Sequence, residues 1–167
     1  MPLIDQLLFP TTFAAALGCG LIGGVFFAFS NFVMKALGQV PSEQGLRAMQ
    51  AINVTVLNPL FLTVFIGTAA ACVFLGVASL MRWKMPGSLE LLVGGSLYLF
   101  GNFVVTAACN VPRNGALAQI NASTPEAANA WRVYLVEWTR WNHVRTVTAL
   151  AAATAFTISL CQISKFE

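Results

Sequence analysis

The chain has 167 residues, of which 57% are apolar and only 9% charged, with a mean hydropathy of +0.75 and a formal net charge of +3. An ordinary water-soluble domain carries about 25% charged residues, so this composition argues against one. It also gives no basic patch with interleaved aromatics, the mark of a nucleic-acid binder. Cys19, Cys72, Cys109 and Cys161 form no CxxC pair, and read as buried thiols acting as small apolar residues rather than as a disulfide framework.

The charges cluster and leave four uncharged intervals: 6–34, 48–81, 91–112 and 146–164. A spanning helix needs about 20 apolar residues. The expectation is therefore an all-α, integral, multi-pass membrane protein. Its architecture would be one up-down-up-down four-helix bundle over 1–167, with spans near 10–37, 48–82, 88–109 and 142–163. In a bacterium it would sit in the cytoplasmic membrane. The first interval follows only Asp5 and has no basic leader, so it reads as a retained helix and not a signal peptide.

The first helix is predicted to run from Pro10 to Leu37 and to end on Gly38 as its C-cap. Its Gly20 and Gly24, with Ala28 beyond, form a small-xxx-small row of the kind that packs helices in lipid. This is the expected face for a homo-oligomer or a membrane partner. After the polar GQVPSEQ, Ser42 is the predicted N-cap of a second helix running to Arg82, kinked at Pro59. Asn53 and Asn58 on it lie about 140° apart, so only a kink brings both to one point. A third helix, Ser88 to Cys109, carries Tyr98, Asn102, Thr106 and Asn110 every four residues. That row extends ~18 Å and should face protein or a water-filled cavity. The segment 110–129 then reads as a loop with a helical turn at Gly115 to Ile120, before Thr124 and Pro125 start the last helix as N-cap and N1.

From Pro125 to Ile163 the last helix would be ~58 Å long. The second and fourth helices are therefore expected to reach beyond the bilayer on one side. Trp131, Tyr134, Trp138, Trp141 and Arg145 follow at steps of three and four, which lines them along one face.

Alternating spans bring Ser30 and Asn31, then Asn53 and Asn58, to the same end as Asn102, Thr106 and Asn110. Trp138, Asn142 and Arg145 join them there. Polar side chains in a span are costly and mark sites, so a polar pocket at that end is the central expectation. The plainer readings are helix-to-helix hydrogen bonds for the asparagines and an interfacial aromatic belt for Trp138 and Trp141. Arg145 needs a carboxylate, carbonyls or an anionic ligand. Taking Trp138 as zero, Asn142 falls near about 40° and Arg145 near about −20°, but His143 near about 140°. The only histidine thus flanks that face, and alone it builds neither a bis-histidine haem site nor a His-rich metal site. The scattered acids show no Glu-x-x-His spacing, so no metal or haem is expected.

Three segments, GLRAMQAINVTVLNPLF, NVPRNGALA and WTRWNHVRT, together resemble the anthrone oxygenase family of small four-helix membrane proteins. The resemblance carries over at Asn53, Asn58, Asn110, Pro112, Asn114, Trp138, Trp141, Asn142, His143 and Arg145, while Arg113 departs from the family's usual apolar residue. It implies cofactor-independent oxygenation of a lipophilic phenolic or anthrone-like substrate, with O₂ as co-substrate. His143, Arg145, Asn142 and Asn110 would be catalytic: His143 takes the proton, and the other three stabilise the oxyanion. Asn31, Asn53, Asn58, Asn102, Asn114, Trp138 and Trp141 would bind substrate. Two other classes stay open: a non-catalytic binder of a lipophilic aromatic, quinone or lipid, and a helper subunit docking through Gly20 and Gly24.

Overall fold

The computed structural model describes residues 2–163, and Ser164 and Lys165, which close the last uncharged interval, lie outside them. The described chain is all-helical. Four helices are long and apolar enough to cross a membrane: Ile4–Gln39, Pro59–Met81, Ser88–Ala118 and Ala127–Ile163.

The first combines α1 (Pro2–Ala28), a π-helical stretch (Phe29–Val33) and α2 (Met34–Gln39). It outruns the expected end at Leu37. Gly38 is inside its last turn, and Val40, in extended conformation, is the C-cap. The predicted second helix is two. Between α3 (Ser42–Thr55) and α4 (Pro59–Met81) the chain breaks completely rather than kinking. Asn58 is extended there, its Oδ1 accepts from Phe61 N at 3.0 Å, and Pro59 takes the first helical position. Proline is favoured at that position because its missing N–H is unused. The N-cap of α3 is Pro41, not Ser42, and makes no side-chain cap bond.

The third long helix comprises α5 (Ser88–Tyr98), two π-helical stretches (Leu99–Val104 and Thr106–Asn110) and α6 (Val111–Ala118). It therefore continues through the first part, 110–118, of the segment expected to be a loop, while 119–126 are non-helical. Pro112 lies in the first turn of α6, directly after the π-helical stretch, where an absent N–H costs least. The last, α7 (Ala127–Ile163), starts two residues beyond Pro125. Thr124 supplies only a turn carbonyl to Ala127 N, and its Oγ1 donates to Asn121 O.

Two cores result. In one, α1, α4, α5 and the second half of α7 enclose Cys19, Ile22, Phe26, Phe65, Cys72, Leu75, Tyr98 and Phe156. In the other, α2, α3, α6 and the first half of α7 enclose Met34, Leu46, Met49, Leu117, Trp131, Tyr134 and Trp138. The only left-handed residue among those described, Gly87, turns the chain from α4 into α5, and its carbonyl accepts from Ser159 Oγ at 3.0 Å.

Candidate functional site

The two cores meet at a cavity of about 440 Å³, within the roughly 300–1,000 Å³ usual for small-molecule sites. Its position follows from the irregular backbone. The break at Val56 to Asn58 opens one wall, and the π-helical stretch Thr106–Asn110 forms the wall across from it. The lining is mostly apolar, with Phe26, Phe29, Phe61, Phe65 and Phe103 prominent in it and Asn53, Thr106, Asn110, Asn114, Trp138 and Arg145 as its polar members. Leu62, Ile66 and Val111 stand at its outer edge, half-exposed on the lateral surface.

Arg145 dominates the site. It is 4% exposed, yet among the described residues it pairs with no carboxylate. Its Nη1 donates to Thr106 Oγ1 at 3.2 Å and its Nη2 to Asn142 Oδ1 at 2.7 Å. The guanidinium lies 4.1 Å from the Phe26 ring centroid and 5.1 Å from that of Trp138, stacking that offsets part of its desolvation. Glu137 does not help, because it pairs with Arg113 at 3.1 Å. Three buried polar atoms of cavity-lining residues have no protein partner: Arg145 Nε, Trp138 Nε1 and Asn110 Oδ1. Buried groups of this kind ordinarily find a partner, and all three belong to residues that line the cavity.

The remaining asparagines divide. Asn142 is fully buried, and its Nδ2 donates to Phe26 O at 2.7 Å and Ser30 Oγ at 2.8 Å, which fixes α7 to α1 behind Arg145. Asn110 Nδ2 reaches Trp138 O at 3.3 Å. Asn114 accepts from Tyr134 Oη at 2.8 Å, and that hydroxyl accepts from Asn53 Nδ2 at 3.4 Å. Asn102, also fully buried, donates to Thr148 below the cavity and does not line it. Asn58 caps α4 at the break, and Asn31 is exposed on the outer face of its helix. Trp141 is not on the buried stripe of α7, which runs Trp131, Tyr134, Trp138, Asn142, Arg145. Of the two residues that sequence spacing puts on this face, Asn142 is buried and Trp141 is only partly so.

His143 is exposed and lies in a separate groove with Lys35 and Arg140. No carboxylate or imidazole lines the cavity. Among the described residues no three His, Cys, Asp or Glu side chains gather to hold a metal ion.

The apolar cavity members, Phe26, Phe29, Phe61, Phe65 and Phe103 among them, are what sequence reasoning missed, since nothing but apolarity distinguishes them from their neighbours. Tyr134 was visible in the aromatic stripe, but not its role between Asn53 and Asn114. Three π-helical stretches carry Ser30, Asn102, Thr106 and Asn110 toward α7 at the level of Asn142, Arg145 and Thr148. Such stretches gather at functional sites.

The family model for anthrone oxygenase matches residues 61–155, more than half of the chain. The match takes in α4 through most of α7, including Asn110, Trp138, Asn142 and Arg145. Neither a curated protein nor a solved structure matches.

Proposed function

Because this chain belongs to the anthrone oxygenase family, we propose that it oxygenates a lipophilic phenolic or anthrone-like substrate in the Arg145 cavity, using O₂ and neither a metal nor an organic cofactor. The observation that carries this reading is a buried guanidinium without a carboxylate, facing a mostly apolar cavity. A cation so placed favours the anionic form of a bound phenol or enolisable ketone, because charge interactions strengthen where water is excluded.

In this reading the substrate loses a proton and becomes a delocalised carbanion, whose oxygen takes hydrogen bonds from Arg145 and Trp138. O₂ adds at the carbanion carbon to form a peroxide anion, which takes up one proton from solvent to become a hydroperoxide; this loses its remaining C–H proton as the O–O bond breaks, releasing water and leaving a ketone. One O₂ enters and one water leaves. Asn142 holds Arg145 in position, and Asn110 Oδ1 accepts from a substrate hydroxyl. The proton leaves to solvent at the open wall rather than to His143, which lies on the other side of α7.

The four long helices cross the bilayer in alternating directions as one bundle, since the connections 82–87 and 119–126 are short and 40–58 holds only α3, which is too polar to recross. The core of α2, α3, α6 and the first half of α7 stands at the membrane edge. Substrate reaches the cavity from the lipid past Leu62, Ile66 and Val111. Gly20 and Gly24, with open space before them, supply the face for a second copy or a membrane partner.

The test is quinone formation from an anthrone and O₂ by the purified protein. Arg145→Lys keeps the charge but loses the planar fork. Loss of a single oxyanion donor lowers kcat about 10²-fold or more, and that is the expected effect. A wild-type rate no faster than buffer sinks the oxygenase reading. A second reading, binding of a lipophilic aromatic or quinone without turnover, is favoured by the lack of an acid or base lining the cavity. It predicts a co-purifying ligand that Arg145→Ala releases.

A further inference from the structure

On the far side of α7 from the cavity, a groove of about 820 Å³ runs between α7 and the first long helix. Lys35, Arg140 and His143 line it, and all three are exposed. The ion pairs among the described residues are Arg47–Glu43, Arg82–Asp5 and Arg113–Glu137. Among the described residues, Lys35 and Arg140 therefore have no carboxylate partner, and no acid lines the groove. The groove is not uniformly polar: Met34, Leu135 and Val136 form its apolar wall.

Its level along the helices is fixed by the sequence. Lys35 is the first charge after the uncharged interval 6–34, and Arg140 stands shortly before the interval 146–164. Both cations are thus where the apolar part of each helix ends, the depth of lipid headgroups. Ser30, at the inner end of the groove, is held by Asn142 Nδ2 at 2.8 Å and by Thr146 Oγ1 at 3.1 Å, so the floor is fixed in place.

We propose that this groove binds the headgroup of an anionic glycerophospholipid, its phosphate between Lys35 and Arg140 and its acyl chains in the adjoining bilayer. Basic pockets between spanning helices recognise phosphate headgroups in this way. A soluble phosphate would satisfy the same cations, but their depth, where the apolar part of each helix ends, is that of lipid phosphates. The proposal uses none of the residues assigned to oxygenation and stands apart from that reading.

The experiment is native mass spectrometry of the purified full chain, titrated with phosphatidylglycerol or phosphatidylcholine of matched acyl chains. Phosphatidylglycerol should bind in preference, and K35Q/R140Q should weaken it about 30-fold, on the scale expected for two basic residues. K35R/R140K should retain binding, which separates lost charge from lost folding. R132Q, a neutralisation outside the groove, should also retain it. Equal binding of the two lipids overturns the proposal, as does a K35Q/R140Q variant that binds like the wild type. So does an R132Q loss as large as that of the double variant. Displacement of phosphatidylglycerol by millimolar inorganic phosphate would make the occupant a soluble anion and overturn the lipid assignment.

Discussion

Arg145 and Asn142 form one unit: Nη2 of the arginine donates to Oδ1 of the asparagine at 2.7 Å, one turn back on the same helix. The same asparagine gives its Nδ2 to Phe26 O and Ser30 Oγ on the first long helix. Asn142 thus fixes the direction of the guanidinium and ties two long helices together with a single amide.

Asn142→Leu removes these bonds without changing the volume much. It leaves the Phe26 carbonyl and one Arg145 donor buried without their partners. An unsatisfied buried group costs about 1–3 kcal/mol, so the midpoint of unfolding in detergent should fall accordingly. Ligand affinity should fall with it, because Arg145 is no longer held. A variant as stable as the wild type would mean that other groups fix the interface of α1 and α7.

Arg145→Met should behave in the opposite way. Replacing a buried charge by an apolar side chain of similar length is often neutral or stabilising by about 1–4 kcal/mol. The Phe26 and Trp138 rings that flank the guanidinium will pack against a thioether. Stability should hold or rise while turnover and ligand binding disappear, measured on the same preparation. Equal loss of stability and activity would make Arg145 a structural residue instead.

Charge spacing and apolar run length made the four long helices legible, because the membrane imposes length and apolarity directly on sequence. The break at Asn58 was less so. Asn-Pro within an apolar run reads equally as a kink, and only the bond from Phe61 N to Asn58 shows a new helix starting. The four-residue row from Tyr98 to Asn110 pointed inward as expected. Its unusual period carried more than that. An α-helix drifts by about 40° over four residues, and the wider π-turns take up that drift, so the row remains aimed at α4 and α7. Trp141 is a comparable case: steps of three and four are both allowed, so the spacing admits Trp141 and Asn142 alike to the face of Trp138, and only Asn142 is buried. Burial decides between them, and burial was not in the sequence.

The glycines supply a paired test of packing. A Cβ on Gly45 would lie 2.5 Å from the Leu37 backbone oxygen and 3.0 Å from the Trp131 ring, whereas one on Gly24 meets nothing within 4 Å. Backbone cannot move aside as a side-chain tip can. Gly45→Ala should therefore destabilise the protein by about 1–3 kcal/mol, the usual cost of overpacking. Gly24→Ala should leave the unfolding midpoint where it is. If Gly24→Ala instead weakens self-association seen by crosslinking, the open face of α1 is in use between copies.

The last prediction concerns where the proton goes. The cavity holds a cation and asparagines but no carboxylate or imidazole, so the group that ionises in the proposed reaction is the substrate. A pH–rate profile should then rise with pH toward a plateau, and its apparent pKa should follow the acidity of the substrate used. A series of anthrones carrying electron-withdrawing or electron-donating substituents provides the range. Arg145 stabilises the anion in every case, so each apparent pKa should lie below that of the same compound in free solution. In Arg145→Lys the gap between bound and free values should narrow, because a point charge without the planar fork makes fewer bonds to the developing oxyanion. A base on the protein predicts something different: one apparent pKa, common to all substrates. Finding that common value would return the proton to a side chain and make His143, the chain's one histidine, the first to be tested.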